Sequence, residues 1–93
     1  MFDFNYDYFF IQGNVALLKP TNQSSTHFTY ISRFAVDGRT NTQEAYCTRT
    51  LVTTNPWWRV DLGREEPVAE VRILNRGDCC GERLNGAEIR VGK

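Results

Sequence analysis

The chain has 93 residues, a length that fits a single domain and that buries only a modest share of its surface on folding. Its 11 lysines and arginines balance its 11 aspartates and glutamates, so the chain as a whole carries no net charge that would draw it to nucleic acid or to an anionic membrane. No stretch approaches the roughly 20 apolar residues of a membrane span.

The amino-terminal residues 1–13 form an aromatic leader that we expect to lie outside the fold. Six of the first ten residues are aromatic, but Asp3 and Asp7 interrupt them, and the segment has neither a basic start nor a continuous apolar run of signal-peptide length. No secretion signal is therefore evident. The adjacent cysteines of the second half and the sequon Asn22-Gln23-Ser24 nevertheless suit an oxidising, secretory compartment. We expect a secreted, extracellular protein.

From residue 14 onward the pattern predicts short strands separated by turn-rich loops, with no sustained helical period. Residues 14–18 are predicted as a first strand that Pro20 ends, and residues 28–31 as a second short extended piece. Residues 32–36 are predicted as a single helical turn, which the polar loop 39–44 follows. These elements indicate an all-β chain.

Three segments of the second half alternate more clearly between apolar and polar residues. In residues 57–62 the apolar face begins at Trp58, which makes Trp58 a better core candidate than its neighbour Trp57. Residues 68–74 and 87–91 alternate in the same way. All three are predicted as half-buried antiparallel strands, as found in β-sandwiches.

The loop between the last two predicted strands, residues 75–86, is longer than a plain hairpin requires. It places Cys79 and Cys80 between Arg76 and Arg83, and each arginine carries a fork of donors suited to paired oxygens. If the cysteines bond to each other, they hold a strained backbone ring that presents a flat sulfur surface. The alternative is that they pair elsewhere and the arginines are merely solvated, although the chain has only one other cysteine. We interpret the loop as a small binding site.

Two motifs of the second half give the chain a family resemblance. Residues 55–62 (NPWWRVDL) followed by residues 75–83 (NRGDCCGER) closely resemble the F-type lectins, or fucolectins. The resemblance begins near residue 14, passes through residues 35–38 (AVDG) and runs to the last residue. It implies that residues 14–93 are a partial F-type lectin domain. The implied fold is a jelly-roll β-sandwich, galactose-binding-domain-like and discoidin-like, which binds L-fucose with help from structural calcium (Ca²⁺).

The resemblance also implies roles for individual residues of the loop. In the family, a histidine and two arginines hydrogen-bond the sugar, and a vicinal disulfide packs on the apolar edge of its ring. Arg76 and Arg83 match the two arginines, and Asp78 matches the acid that steadies them. Cys79 and Cys80 match the disulfide. Fucosylated glycans are therefore the expected partners.

Arg49 departs from the family pattern. It stands where the family holds the histidine, directly after Cys47 and Thr48. A neutral imidazole can accept a hydrogen bond from a hydroxyl, whereas arginine has five donors and no acceptor. Arg49 therefore predicts weaker fucose binding, or a preference for a sugar bearing sulfate or carboxylate. Asp78 and Glu82 are the acids expected to compensate the three arginines.

The resemblance places further residues around the site. Tyr46 is expected to help line the pocket for the methyl group of the sugar, although two residues are deleted nearby. Asp37 is the expected calcium ligand, with Phe34 and Arg39 donating main-chain carbonyls. Hard cations want six to eight oxygens, so this half-set is expected to bind calcium weakly.

The family fold continues beyond residues 87–91 with strands that close the sandwich and a cysteine that pairs with the equivalent of Cys47. The resemblance therefore predicts a domain truncated before its closing strands, with Cys47 lacking that partner. A non-binding relic is one alternative for such a chain. Family members act in innate defence, usually as oligomers that gain avidity from weak sites, so a homo-oligomer is also expected.

Two other binding functions are open, whereas an enzyme is not expected. Arg76-Gly77-Asp78 is the tripeptide of integrin ligands and would suit a cell-adhesion module. Discoidin-like domains bind membrane surfaces through apolar loop tips, but the aromatic residues 2–10 include two aspartates and no lysine or arginine, which argues against an anchor. The chain offers no Ser/His/Asp set, no metal-ligand cluster and no phosphate-binding glycine loop.

Overall fold

The structure, a computed structural model, describes residues 2–8 and 11–92, with side chains from residue 14 onward. Within these residues the regular elements are five short β-strands and three 3-10 turns. The strands are β1 (Phe2–Tyr8), β2 (Ile11–Asn14), β3 (Thr21–Gln23), β4 (Trp58–Val60) and β5 (Glu70–Ile73). The 3-10 turns are η1 (Ser32–Val36), η2 (Glu44–Tyr46) and η3 (Gly81–Leu84). The prediction of an all-β chain is confirmed.

The strands form two antiparallel sheets. The first has the order β2-β1-β5, and in it Phe2 lies opposite Ile73. The second pairs β3 with β4, so that Thr21 lies opposite Val60. Because β3 and β4 are far apart in the chain, their pairing brings the segments after residue 23 and before residue 58 close together.

The strand pairing contradicts the expectation that residues 1–13 lie outside the fold, for the described part of that segment. β1 pairs with β5 along its first half and with β2 along its second half. Aromatic and polar residues alternate over residues 2–8, which is itself a strand pattern. The structure does not describe residues 1, 9 and 10 or the side chains of residues 1–13. The question of membrane insertion by those aromatic side chains therefore lies outside the described residues.

Alternation predicted the two best strands of the second half correctly. β4 lies inside the predicted strand 57–62, and β5 lies inside the predicted strand 68–74. Trp58 is half-buried, and its indole N–H donates to the carbonyl of Ser32 at 2.8 Å. Trp57 is 45% exposed. The prediction that Trp58 is the inward-facing tryptophan is therefore confirmed.

Two predicted strands of the first half are not strands. Asn14 ends β2, and its side-chain oxygen accepts the N–H of Ala16 at 3.0 Å, which turns the backbone out of the extended direction. Leu18 then adopts a left-handed conformation with φ 58. Phe28 is left-handed as well, with φ 54, so residues 28–31 begin in a turn and β3 is the strand of this region.

The predicted strand at residues 87–91 is also absent from the structure. No described strand pairs with this segment, and Ile89 and Val91 are 53% and 63% exposed. An alternating sequence becomes a strand only when a neighbouring strand satisfies its backbone hydrogen bonds and covers its apolar face. Alternation alone therefore overpredicts this element.

The buried core of the described residues is small. Its hydrophobic members are Ala16, Ala35 and Val36, and the last two lie on η1, where the predicted helical turn is confirmed. The buried polar side chain is that of Gln23, which binds the segments leading to the candidate site. Within the described part of the chain, no helix is long and apolar enough to cross a membrane.

Candidate functional site

The predicted site loop, residues 75–86, is closed by the side chain of Asn75, whose Nδ2 donates to the carbonyl of Gly81 at 2.9 Å. Gly77 attaches the loop to the rest of the protein, because its N–H donates to the carbonyl of Thr42 at 2.8 Å. A Cβ at Gly77 would lie 2.5 Å from the hydroxyl oxygen of Thr42. Only glycine therefore permits this close approach.

Cys79 and Cys80 are joined to each other by a disulfide bond. Cys79 is exposed and Cys80 is half-buried, so the pair lies at the protein surface. Cys80 adopts a left-handed backbone with φ 65 where η3 begins, a conformation that a residue with a side chain adopts at a cost. Cys47 is a free thiol whose pKa is raised by burial, so it is a poor nucleophile.

Arg76 is held by two carboxylates. Its Nε donates to Oδ1 of Asp78 at 2.5 Å and its Nη2 donates to Oδ2 of Asp78 at 3.3 Å. Its Nη1 donates to Oε2 of Glu44. The side chain is only 20% exposed. Since a guanidinium has five N–H donors, about two, one each on Nη1 and Nη2, are left for a ligand.

Sequence reasoning did not identify Glu44, the acid at the centre of the site. Its Oε1 accepts the hydroxyl of Tyr30 at 2.9 Å, and its Oε2 accepts Nη1 of both Arg49 and Arg76. Its backbone N–H donates to Oδ2 of Asp78 at 3.4 Å. Glu44 lies 32 residues from Arg76, so no local spacing signals the contact. The one signal is an acid in an otherwise neutral stretch near the expected histidine position.

Arg49 enters the cluster through the same acid. Its N–H donates to the carbonyl of Tyr30 at 3.0 Å, and its carbonyl accepts the N–H of His27 at 2.9 Å, so its main chain is fixed. Its Nη1 lies 2.9 Å from Oε2 of Glu44. Glu44 therefore supplies the compensating charge that was predicted for Glu82, which is exposed and forms no ion pair with any described residue.

Arg83 and Tyr46 stay outside this hydrogen-bonded cluster. Arg83 lies on η3 and is exposed, and no described residue forms an ion pair with it. Tyr46 is half-buried, with the guanidinium carbon of Arg39 5.6 Å from the centre of its ring. The members of the predicted site that hydrogen bonds bring together are Arg49, Arg76 and Asp78.

Hydrogen bonding keeps both carboxylates of the cluster ionised. The hydrogen bond from the Tyr30 hydroxyl is the largest cause of the lowered pKa of Glu44. Burial opposes it, and the charges of Arg76 and Arg49 lower the pKa further. The hydrogen bond from Arg76 lowers the pKa of Asp78 and, reciprocally, raises the pKa of Arg76. The ion pairs are therefore intact at neutral pH.

The residues predicted to bind calcium line a separate surface. Phe34, Asp37 and Arg39 lie in an open cleft of about 700 Å³ to which Lys19 and Arg33 add two further positive charges. One oxygen of Asp37 already accepts the N–H of Arg39 at 2.9 Å. In the described part of the chain, no three His, Cys, Asp or Glu side chains are grouped so that they could hold a metal ion. Calcium binding by Asp37 with the carbonyls of Phe34 and Arg39 therefore stays a prediction.

Residues 34–93 match the family of NedA-like, galactose-binding domains. The chain is 44% identical to Fucolectin-6 of Anguilla japonica over an alignment of 95 positions, which covers 90% of this chain and 49% of the relative. It is 49% identical to Fucolectin of Anguilla anguilla over 61 residues, 63% of this chain and 39% of the relative. It is 48% identical to Pentraxin fusion protein of Xenopus laevis over 59 residues, 61% of this chain and 14% of the relative. No solved structure matches the chain.

The family match covers more than half of the chain, and the predominance of strands over helix agrees with it. The chain therefore belongs to the NedA-like, galactose-binding domain family, whose jelly-roll β-fold was predicted from the resemblance. Its fucolectin relatives identify the domain, more narrowly, as an F-type lectin domain. The chain spans about half the length of these fucolectins.

Proposed function

We propose that this chain is a carbohydrate-binding lectin module that recognises L-fucose or fucosylated glycans. The observation that carries the proposal is one surface loop in which a disulfide between Cys79 and Cys80 is flanked by Arg76 and Arg83. An apolar sulfur surface beside guanidinium donors suits a sugar, which has an apolar ring edge and adjacent hydroxyl oxygens. The similarity to proteins named fucolectins supports fucose as the sugar.

The two arginines would contribute in different ways. Arg83 is exposed and has no ion-pair partner among the described residues, so its donors are free for ligand oxygens. Arg76 is fixed by its two carboxylates and offers about two remaining N–H groups in a set direction. A fixed donor loses little conformational freedom on binding. Arg76 would therefore orient the sugar, and Arg83 would move to hydrogen-bond it once it is bound.

The proposal extends to how the module works. It recognises its ligand without catalysis, consistent with relatives named as lectins. It acts outside the cell in innate defence, as a secreted homo-oligomer whose weak sites gain avidity together. Calcium assistance stays a prediction, and it would need oxygen ligands beyond Asp37 and the carbonyls of Phe34 and Arg39.

Cell adhesion through the tripeptide at residues 76–78 is less well supported. Arg76 and Asp78 bind each other through two hydrogen bonds, and Arg76 also binds Glu44. An arginine and an aspartate that bind each other have fewer donors and acceptors left for a receptor. The internal ion pair therefore favours a role for these residues within the sugar site.

Titration of the oxidised chain with L-fucose tests the proposal. Arg83→Ala is expected to weaken binding about tenfold or more, because it removes hydrogen bonds from a charged donor. The matched control is Arg90→Ala, since Arg90 is an 85% exposed arginine that pairs only loosely with Glu88, at 3.5 Å. Isothermal titration or NMR chemical shifts would give both affinities.

Two outcomes of this titration would count against the proposal. Equal affinities of the wild type and Arg83→Ala would remove Arg83 from the site, and no binding by a folded wild-type chain would overturn the lectin proposal. Repeating the titration in EDTA and in calcium chloride tests the calcium prediction separately. The same affinity in both solutions would remove calcium from the mechanism.

A further inference from the structure

The site contains more positive charge than a neutral sugar requires. Arg49, Arg76 and Arg83 contribute three positive charges, whereas Glu44 and Asp78 contribute two negative ones. Asp78 belongs to the same loop as Arg76 and Arg83 and pairs with Arg76 alone. Compensation of the positive charge of Arg49 therefore depends on Glu44, which also compensates part of the charge of Arg76.

Glu44 is built into this position from several directions. Its side chain is 27% exposed, and three donors converge on its two oxygens: the Tyr30 hydroxyl, Arg49 Nη1 and Arg76 Nη1. The main-chain N–H of Glu44 is tied to Asp78. A carboxylate held by so many groups keeps one orientation, and it fixes the guanidinium groups that bind it.

From this geometry we propose that Glu44 is a positioning and specificity-determining residue, which fixes the orientation of Arg76 and compensates the charge of Arg49. As a result, the site favours a neutral fucose over a sulfated one. The inference rests on the proposed sugar-binding function. It also revises the expectation from sequence, in which Arg49 moves the preference toward an anionic sugar. With Glu44 in place, Arg83 is the uncompensated cation among the three arginines of the site.

The main experiment compares L-fucose with L-fucose 4-sulfate on the oxidised chain. The wild type is expected to bind the neutral sugar at least as tightly as the sulfated one. Glu44→Gln keeps the shape of the side chain and an acceptor for Tyr30 but removes the charge. It is expected to raise the ratio of sulfated to neutral affinity about threefold to tenfold, because one more cation is uncompensated at a partly exposed site.

Two further variants separate charge compensation from a loss of structure. Glu70→Gln is the matched control, because Glu70 pairs with Arg72 at 2.5 Å on β5 and takes no part in the cluster. It is expected to leave the affinity ratio unchanged. The double variant Glu44→Gln with Arg49→Gln removes both charges and is expected to return the ratio toward the wild-type value. A Glu44→Gln ratio equal to that of Glu70→Gln would overturn the inference.

A measurement without ligand makes the test independent of sugar binding. In the free wild-type chain, the Nη1–H NMR signal of Arg76, the group that donates to Glu44, is expected to be shifted and protected from exchange, and this protection should weaken in Glu44→Gln. Weakened protection together with no sugar binding would overturn the proposed function but support positioning by Glu44. Unchanged protection would overturn the positioning role itself.

Discussion

At the scale of single residues, the site is a set of charged groups that hold one another in place. Asp78 binds Arg76 through two hydrogen bonds within the loop, and Glu44 on η2 binds it through a third. The guanidinium groups stay charged at any ordinary pH, so the two carboxylates are the groups that titrate. The order of the site therefore depends on their ionisation.

We expect the arrangement of Arg76 to be lost in acid. The pKa values of Glu44 and Asp78 are lowered in the folded chain from ordinary values of 4.5 and 3.8. Groups with lowered pKa values contribute fully above those ordinary values and lose the contribution as pH falls through the folded values. Sugar binding is therefore expected to be constant from pH 7 to about 5 and to decline below about 4.

Affinity for L-fucose measured between pH 7 and pH 3 checks this expectation. Glu70→Gln is again the suitable control, because Glu70 also has a lowered pKa but pairs with Arg72 outside the cluster. The profile of this variant should match that of the wild type. A decline centred near pH 6 would contradict the carboxylate explanation and would point to another titrating group.

At the scale of elements, Gln23 on β3 ties the strand pair to the site. Its Nε2 donates to Thr26 Oγ1 at 2.9 Å and to the carbonyl of Tyr30 at 3.2 Å, and it lies 3.4 Å from the carbonyl of Arg49. Its Oε1 accepts the hydroxyl of Thr48. One buried amide thus fixes the two segments that carry Tyr30 and Arg49.

We predict that Gln23→Leu destabilises the fold by about 1–3 kcal/mol, because it removes the hydrogen bonds that the buried amide makes to two threonine hydroxyls and two main-chain carbonyls. Urea unfolding measures the change in free energy. Gln43→Leu, the same substitution at an exposed position, is expected to change stability by less than about 0.5 kcal/mol. Equal stability of the two variants would show that the Gln23 network contributes nothing measurable.

The elements that could be predicted from sequence are those whose signal is local. β4 and β5 alternate over their own residues, and η1 precedes a turn, so each was found where it lies. The pairing of Arg76 with Asp78 spans two residues, and the family resemblance had already implied it. Glu44 and Gln23 could not be assigned, because their partners lie up to 32 residues away.

The errors at residues 2–8 and 87–91 have a common physical origin. Residues 87–91 have the alternation of a strand, and residues 2–8 have it too, yet only the second segment pairs with another strand. Alternation reports a side-chain pattern, whereas strand formation requires a partner for the backbone. Sequence reasoning had no means of choosing the partner of β5.

At the scale of the whole molecule, stability of the described chain depends on few buried groups. Its buried hydrophobic side chains are those of Ala16, Ala35 and Val36, which are small and bury little apolar area. Backbone pairing between distant segments therefore matters more than usual. β1 is central in its sheet, because both of its edges are paired.

Deleting residues 1–8 tests how much the fold relies on β1. The deletion removes the strand that pairs with β5, so the amides of Glu70–Ile73 are expected to exchange with solvent about tenfold faster or more. Amides of β3 and β4 serve as the internal control, because they belong to the other sheet and should keep their protection. Hydrogen exchange followed by mass spectrometry or NMR gives both rates in one sample. Unchanged exchange in β5 would mean that β1 adds no stability to the sheet, and that residues 1–13 act as the separate leader that their composition first indicated.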